Sequence, residues 1–166
     1  MGQKKILSHV GADNRPRMVD VGAKRITRRT AHAVAVVSLP PELAQLFVDG
    51  GLIVPKGAVF QVAVLAGIMG AKKTSELIPL CHPIPLDDCT LSVRARKAGR
   101  DGSLDVELHC HASAEARTGV EMEALTGASV AALAVYDMGK GISHGIVIRE
   151  IRLLRKTGGK RDYVAP

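Results

Sequence analysis

The chain has no tryptophan, and only two tyrosines and two phenylalanines among its 166 residues. Proteins that hold single-stranded nucleic acid stack bases on aromatic side chains, and a chain with 2% aromatics cannot build such a platform. No segment carries a zinc-finger spacing, a basic zipper or an RNA-recognition signature. Nucleic acid is therefore not the expected partner. Cysteine is also scarce: three residues, an odd number, make no disulfide framework, and a reducing, cytoplasmic setting is expected. No apolar run approaches the ~18 residues of a membrane span. The longest candidate, Ala124 to Met138, is alanine-rich and carries Asp137. The opening "MGQKKILSHV" lacks the apolar core of about 7–15 residues that a secretory signal needs. There is no GxxxxGK[ST] loop, which excludes a P-loop nucleotide site.

What is present is a net charge of +7 and a hydrophobic content of 46%. The second suits one well-packed domain. The first asks for an anionic partner, and with nucleic acid set aside a small polyphosphate fits it best. Residues 1–17 are polar and without periodicity, so a mobile arm is expected there, followed by a single domain over 18–160 and a short tail at 161–166. Neither an internal repeat nor a linker interrupts the domain.

"TAHAVAVVSL", Thr30 to Leu39, is rich in β-branched residues and predicts a strand. Pro40-Pro41 ends it and opens a short helix through "PPELAQLFVDGG", which Gly50-Gly51 would stop. After Pro55 a second helix is predicted, with Phe60, Val64, Leu65 and Ile68 at helical spacing and Gly67, Gly70 and Ala71 thinning one face for close packing. Pro79, Pro83 and Pro85 forbid its continuation, placing Cys81 and His82 on a stiff irregular loop.

A hairpin follows. Leu91, Val93 and Ala95 alternate with Ser92, Arg94 and Arg96; after the turn "GRDG", Leu104, Val106, Leu108, Cys110 and Ala112 share one face, and Asp105, Glu107, His109 and His111 the other. Gly119 opens a third helix, apolar nearly all round and hence buried on more than one side. The last strand, around "HGIVIREIRLLRK", alternates imperfectly, which suggests a bulge. Strand, helices, strand, strand, helix, strand is the split βαβ order of a ferredoxin-like α+β sandwich, a βαββαβ antiparallel sheet with its helices on one face. The other face needs cover, and Val and Ala there would favour an oligomer.

Residues of the types that ligate metal are Cys81, His82, Cys89, His109, Cys110 and His111. The spacing has no Cys-x-x-Cys and no His-x-x-x-His, and strand alternation sends Cys110 to the face opposite His109 and His111. No metal site is expected. Cys81 and His82, adjacent in sequence, do not form a dyad by that adjacency, and their proline-rich setting favours a rigid pocket wall. In the third helix, Glu121 and Glu123 suit the dipole of the first turn, while Asp137 and Lys140, spaced i,i+3, can meet at the far end. Glu123 and Asp137 are fourteen residues apart, roughly 21 Å along a straight helix. One compact reaction centre cannot touch both, so a site using both ends is either long or assembled from two chains.

Taken together, "MVDVGAK", "KGAVF", "AGIMGAKKTSELIPLCHP", "TGVEMEALTGASVAALAVYDMGK" and "LLRKTGGK" resemble the cyclic pyranopterin monophosphate synthase family, molybdenum cofactor biosynthesis protein C, from about Ser8 to Lys160. The resemblance implies a ferredoxin-like homohexamer, a trimer of dimers with active sites at the dimer interfaces. It implies a diphosphate-releasing lyase that converts (8S)-3′,8-cyclo-7,8-dihydroguanosine 5′-triphosphate into cyclic pyranopterin monophosphate. By the family's motifs Asp137, Lys56 and Lys140 match catalytic positions, and His82 joins them as a donor to phosphate or leaving oxygen. Leu80, Cys81, His82, Met122 and Glu123 match substrate contacts, and Lys24, Arg29, Lys72 and Lys156 fall at basic positions near the pocket. No cofactor is implied beyond Mg²⁺ that could accompany the triphosphate. The chain departs from the family pattern at Ala58 and Gly139 and in "GISHG". The alternative is a purine-nucleotide-binding module without turnover.

Overall fold

The computed structural model describes residues 15–98 and 101–166. Most of the expected arm, 1–14, and part of the expected turn at 99–102 lie outside the described residues.

The elements run β1 (Thr27–Leu39), α1 (Pro41–Ala44), β2 (Phe47–Val48), β3 (Gly51–Val54), β4 (Gly57–Ala58), α2 (Val59–Lys72), α3 (Thr74–Leu77), β5 (Asp88–Ala98), β6 (Ser103–Ala116), α4 (Glu121–Gly139), β7 (Val147–Thr157) and β8 (Tyr163–Val164). The main sheet is antiparallel with order β5-β6-β1-β7-β8. Without β8, the order and the α2 and α4 crossovers are those of the ferredoxin-like α+β sandwich. The helices cover one sheet face: α4 lies on β1, β6 and β7, and α2 packs on α4 and β5.

Strand alternation decides what this face buries. Ala31, Ala33, Ala35, Val37 and Leu39 of β1 and Leu104, Val106, Leu108, Cys110 and Ala112 of β6 all lie in the core. Each large aliphatic side chain among them contributes about 1.5–3 kcal/mol by leaving water. β7 meets β1 with register shifts at His32/Ala33 and at Val36/Val37, so two irregularities account for its imperfect alternation.

The sheet's other face is polar more than apolar, against expectation. It carries a histidine cluster in which His32 Nε2 lies 3.0 Å from His109 Nδ1 and the His32 ring stacks on His111 with centroids 3.7 Å apart. Burial, and after it the neighbouring His111 and His109, pushes the His32 pKa down to about 4. The helical layer also carries exposed apolar side chains, Val62, Leu65 and Met69 of α2 and Leu133 of α4, and the sheet exposes Val147 and Ile151 of β7.

α4 is buried on two sides, against the sheet and against α2, as its all-round apolar middle requires. Small residues allow the closeness: a Cβ on Gly67 would lie 2.8 Å from the Gly127 carbonyl oxygen, and one on Gly70 2.6 Å from Val130. The segment after β1 differs from expectation. The helix stops at Ala44, and Phe47–Val48 pairs with Gly51–Leu52 as a hairpin. Its two-residue loop has positive φ at both Asp49 (50°) and Gly50 (78°), the type I′ pattern that an Asp-Gly pair favours. The Pro-Pro start signals a helix, but one turn later the turn chemistry of "VDGGLIV" prevails. β3 then turns back through Pro55 and Lys56 to β4, which brings Lys56 to the C-terminal end of α4.

Candidate active site

The sequence-expected site residues collect at the two ends of α4. At its C-terminal end, Lys140 Nζ is 2.7 Å from Asp137 Oδ1, and Lys56 Nζ is 3.1 Å from Oδ2. Lys56 also donates to the Asp137 carbonyl at 2.8 Å, one of the helix-terminal carbonyls without an intrahelical partner. The negative end of the helix dipole favours both ammonium groups here. Lys140 first, and Lys56 second, hold the Asp137 carboxyl below its ordinary range; Asp137 in turn raises Lys140. The Asp137 side chain is 56% exposed in the single chain. As it stands this is a carboxylate clamped between two cations and open to solvent.

At the N-terminal end the environment is the reverse. Glu123 is buried, with 3% of its surface exposed, and its Oε2 has no hydrogen-bond partner. Burial, and then the charge of Glu121, raises its pKa. The Leu80–Cys81–His82 loop lies close by, since the Cys81 thiol is raised by burial and then by the charge of Glu123. His82 Nε2 is 2.8 Å from the Val19 carbonyl, so that nitrogen carries a proton and donates it. In the neutral ring Nδ1 is left as the acceptor. The histidine thus ties the "MVDVGAK" segment to the proline-stiffened loop. Met122, between the two glutamates, is 37% exposed and free to touch a ligand.

Beside this end lies a cavity of about 240 Å³ whose lining includes Lys24, Arg29, Arg117, Lys156 and Lys160, with Glu121 the one carboxylate among the described residues. Lys156 Nζ meets Glu121 Oε1 at 2.7 Å. Arg29 is held by donation to the Ala116 carbonyl (3.3 Å) and Arg117 by donation to the Lys24 carbonyl (3.2 Å), so both guanidinium groups are pre-positioned. Five cations against one carboxylate make a receptor for a multiply charged anion. A second cavity of about 500 Å³ shares Glu121 and Lys156 and is walled by Arg152 and Tyr163. Another, about 550 Å³, lies at Phe47, Ala95 and Leu104, and among the described residues Arg96 is its only charged lining residue.

Three of the four expected basic positions, Lys24, Arg29 and Lys156, converge on the cation-lined cavity; Lys72 is not part of its lining and bears instead on Cys89. Arg117, Lys160 and Glu121 were not singled out as site residues. Their signal was weak: Arg117 directly precedes "TGVEME", one residue outside that motif, and Lys160 is the last residue of "LLRKTGGK". Among the described residues no group of three or more His, Cys, Asp or Glu side chains is arranged to hold a metal ion.

The fold and site define a ferredoxin-like α+β protein with a cation-lined cavity at one end of a buried helix and a Lys–Asp–Lys cluster at the other. A family model matches residues 18–159, and the chain belongs to the MoaC family. It is 46% identical to the cyclic pyranopterin monophosphate synthase of Xanthomonas oryzae pv. oryzae over 159 residues, which is 96% of this chain and 93% of that protein. It is 50% identical to molybdenum cofactor biosynthesis protein 1 of Drosophila melanogaster over 157 residues, 95% of this chain. The match spans 27% of that longer relative.

Proposed function

We propose that this protein is a cyclic pyranopterin monophosphate synthase of molybdenum cofactor biosynthesis. It converts the cyclic dihydroguanosine triphosphate into cyclic pyranopterin monophosphate and releases diphosphate, as a phosphorus–oxygen lyase. The observation that carries the reading is the pairing of an anion cavity with motif residues at both ends of one helix, in a chain nearly co-extensive with a relative of that name.

In this reading the triphosphate lies against Lys24, Arg29, Lys156, Arg117 and Lys160, whose fixed charges stabilise the departing diphosphate. Leu80, Cys81 and Met122 wall the ring. Glu123 accepts from guanine-type N–H groups, which would give its orphaned oxygen a partner. His82 uses Nε2 for Val19, so only a protonated Nδ1 is left to donate to phosphate or to the leaving oxygen. Asp137, with Lys56 and Lys140, moves protons during ring opening and rebuilding. Lys72 is a peripheral contact.

The two ends of α4 are too far apart for one ligand, so a second copy supplies the missing end, and the site forms between chains in a hexamer of three dimers. Exposed Val62, Leu65, Met69 and Leu133 offer apolar surface for such contacts. Closure by the second chain would also dry Asp137 and bring its pKa upward from the depressed value of the single chain. The reaction needs no resident cofactor, and Mg²⁺ enters, if at all, with the triphosphate. No helix among the described residues is long and apolar enough to cross a membrane. We place the protein in the cytoplasm, where all three cysteines, free in the structure, stay reduced.

The test is incubation of the pure protein with the cyclic dihydroguanosine triphosphate, with and without EDTA, following diphosphate and pterin. Turnover that disappears in Asp137→Asn supports the synthase reading. Tight binding without turnover, in folded hexamer, supports the non-catalytic nucleotide-binding module instead.

A further inference from the structure

The turn between β7 and β8 brings Thr157, Gly159 and Lys160 to the cation-lined cavity. Gly158, in their midst, is not part of that lining, yet its backbone is held on every side. Its N–H donates to Asp162 Oδ1 at 3.2 Å, and its carbonyl accepts from Thr27 Oγ1 at 2.9 Å. Its φ of 85° lies in the left-handed region, and a Cβ there would run into the Arg28 carbonyl. The turn therefore lies flat against the start of β1, with no room for a side chain between them. Gly159 provides a further clearance: a Cβ on it would stand 3.0 Å from Arg29 Nη1, so its absence leaves that guanidinium its place in the cavity.

These contacts matter for what the turn carries. Glu121 holds Lys156, and backbone carbonyls hold Arg29 and Arg117. Lys160 is exposed and has no such brace of its own among the described residues, so the backbone of the turn alone sets where its side chain starts. A backbone fixed in advance spares an incoming anion the cost of ordering the loop as it binds.

We propose that Thr27 and Asp162 are positioning residues of the phosphate site, acting through Gly158 to hold the turn that presents Lys160. The proposal rests on the reading of this cavity as the triphosphate site. Neither residue lines the cavity, so neither is a ligand contact. Asp162 makes the sign of the effect informative. By charge alone, a carboxylate beside a cation cluster opposes an anion, and its removal strengthens binding. Removing a brace does the opposite, because the freed turn must be ordered again. Asparagine separates the two, since its side-chain oxygen accepts the same hydrogen bond without the charge.

Inorganic triphosphate is titrated calorimetrically into the full-length protein at low salt. Asp162→Ala should weaken binding by about three- to tenfold, the range that one hydrogen bond supports. Asp162→Asn should bind at least as tightly as the parent. Thr27→Val should weaken binding and Thr27→Ser should restore it. In a Lys160→Ala background Asp162→Ala should lose its weakening effect, because changes that act through one group are not additive. Tighter binding by Asp162→Ala overturns the proposal, as does equal weakening by Asp162→Asn or an undiminished effect of Asp162→Ala without Lys160. A parent that does not bind inorganic triphosphate overturns it too. Turnover of the cyclic dihydroguanosine triphosphate is scored separately, so the binding pattern decides the positioning role whether or not the synthase reading survives. Thr27 and Asp162 are both exposed, and each is tested on its own, so one variant that failed to fold would leave the other to decide.

Discussion

Gly67→Ala tests whether α2 and α4 approach as closely as the fold requires. The added Cβ would lie 2.8 Å from the Gly127 carbonyl oxygen and 3.1 Å from Ala131 Cβ, and would press on Leu91 Cδ1. Leu91 sits half-buried on an edge strand and can swing away; the Gly127 carbonyl is backbone and moves only with α4. Relieving that contact parts the helices by roughly 0.5–1 Å, enough to forfeit a quarter to a half of the dispersion attraction along the seam. Overpacking of this kind costs about 1–3 kcal/mol, while alanine's better helix propensity returns about 0.8–1 kcal/mol. The net loss expected is therefore ~0–2 kcal/mol, centred on about 1 kcal/mol, which at that centre is a fall in Tm of about 2–4 °C for a domain of this size. Urea and thermal unfolding at one fixed protein concentration measure it, since oligomerisation makes apparent stability concentration-dependent. Gly141→Ala is the control: no heavy atom lies within 4 Å of a Cβ there, and its effect should stay within about 0.5 kcal/mol. A Gly67→Ala protein more stable than its parent by the ~0.8–1 kcal/mol of helix propensity alone would refute the close helix contact and with it the placement of α4.

Further outcomes follow from the charged groups. Glu123 has its pKa raised in the folded chain above the ordinary 4.5, so the folded state holds the proton longer than the unfolded one. Stability then falls as pH rises from about 4.5 towards the raised value, and urea midpoints of Glu123→Gln should lack that decline; a parallel decline in both proteins would sink the assignment. Asp137→Asn should lower kcat by about 10²–10⁴-fold with little change in substrate affinity, measured by diphosphate release and equilibrium binding. Because Lys140 and Lys56 hold Asp137 below its ordinary 3.8, the free chain keeps this carboxylate charged at all pH values above that. In the proposed hexamer, where the second chain dries Asp137, its protonation moves upward from that depressed value, so any acid limb it gives kcat/KM reports the assembled site and not the single chain. Arg117→Ala and Lys160→Ala should each weaken triphosphate binding by about tenfold at low salt, and by less at high salt where exposed charges are screened. Unchanged binding in both would remove them from the phosphate site.

Much of the molecule could be read from local pattern, because local pattern answers to short-range physics. The alternation in β5 and β6 and the all-round apolar middle of α4 report which faces must leave water, and the structure buries those faces. The prolines around Cys81 and His82 forbid regular structure there, and none forms. After β1 the sequence suggests one helix stopped by Gly50-Gly51, whereas the Asp49-Gly50 turn closes a hairpin because it satisfies Phe47–Leu52 pairing. The two ends of α4 were already known to be too far apart for one reaction centre, since helix rise alone dictates it.

What lay beyond the sequence was the meeting of distant groups. Lys56 reaches Asp137 across 81 positions, and no periodicity in either segment encodes it; the β3–β4 turn and the crossover of α4 place the one over the other. Arg117 and Lys160 join Lys24, Arg29 and Lys156 because β1, β6 and β7 are neighbours in the sheet and their ends open on the same side. The orphaned oxygen of Glu123 is likewise invisible in sequence, where a first-turn glutamate reads as a solvated partner of the helix dipole. Composition and spacing determined the elements, their buried faces and the need for an anion; sheet order and helix packing alone decided which charges share a site, because contacts between segments far apart in the chain depend on how the elements are stacked.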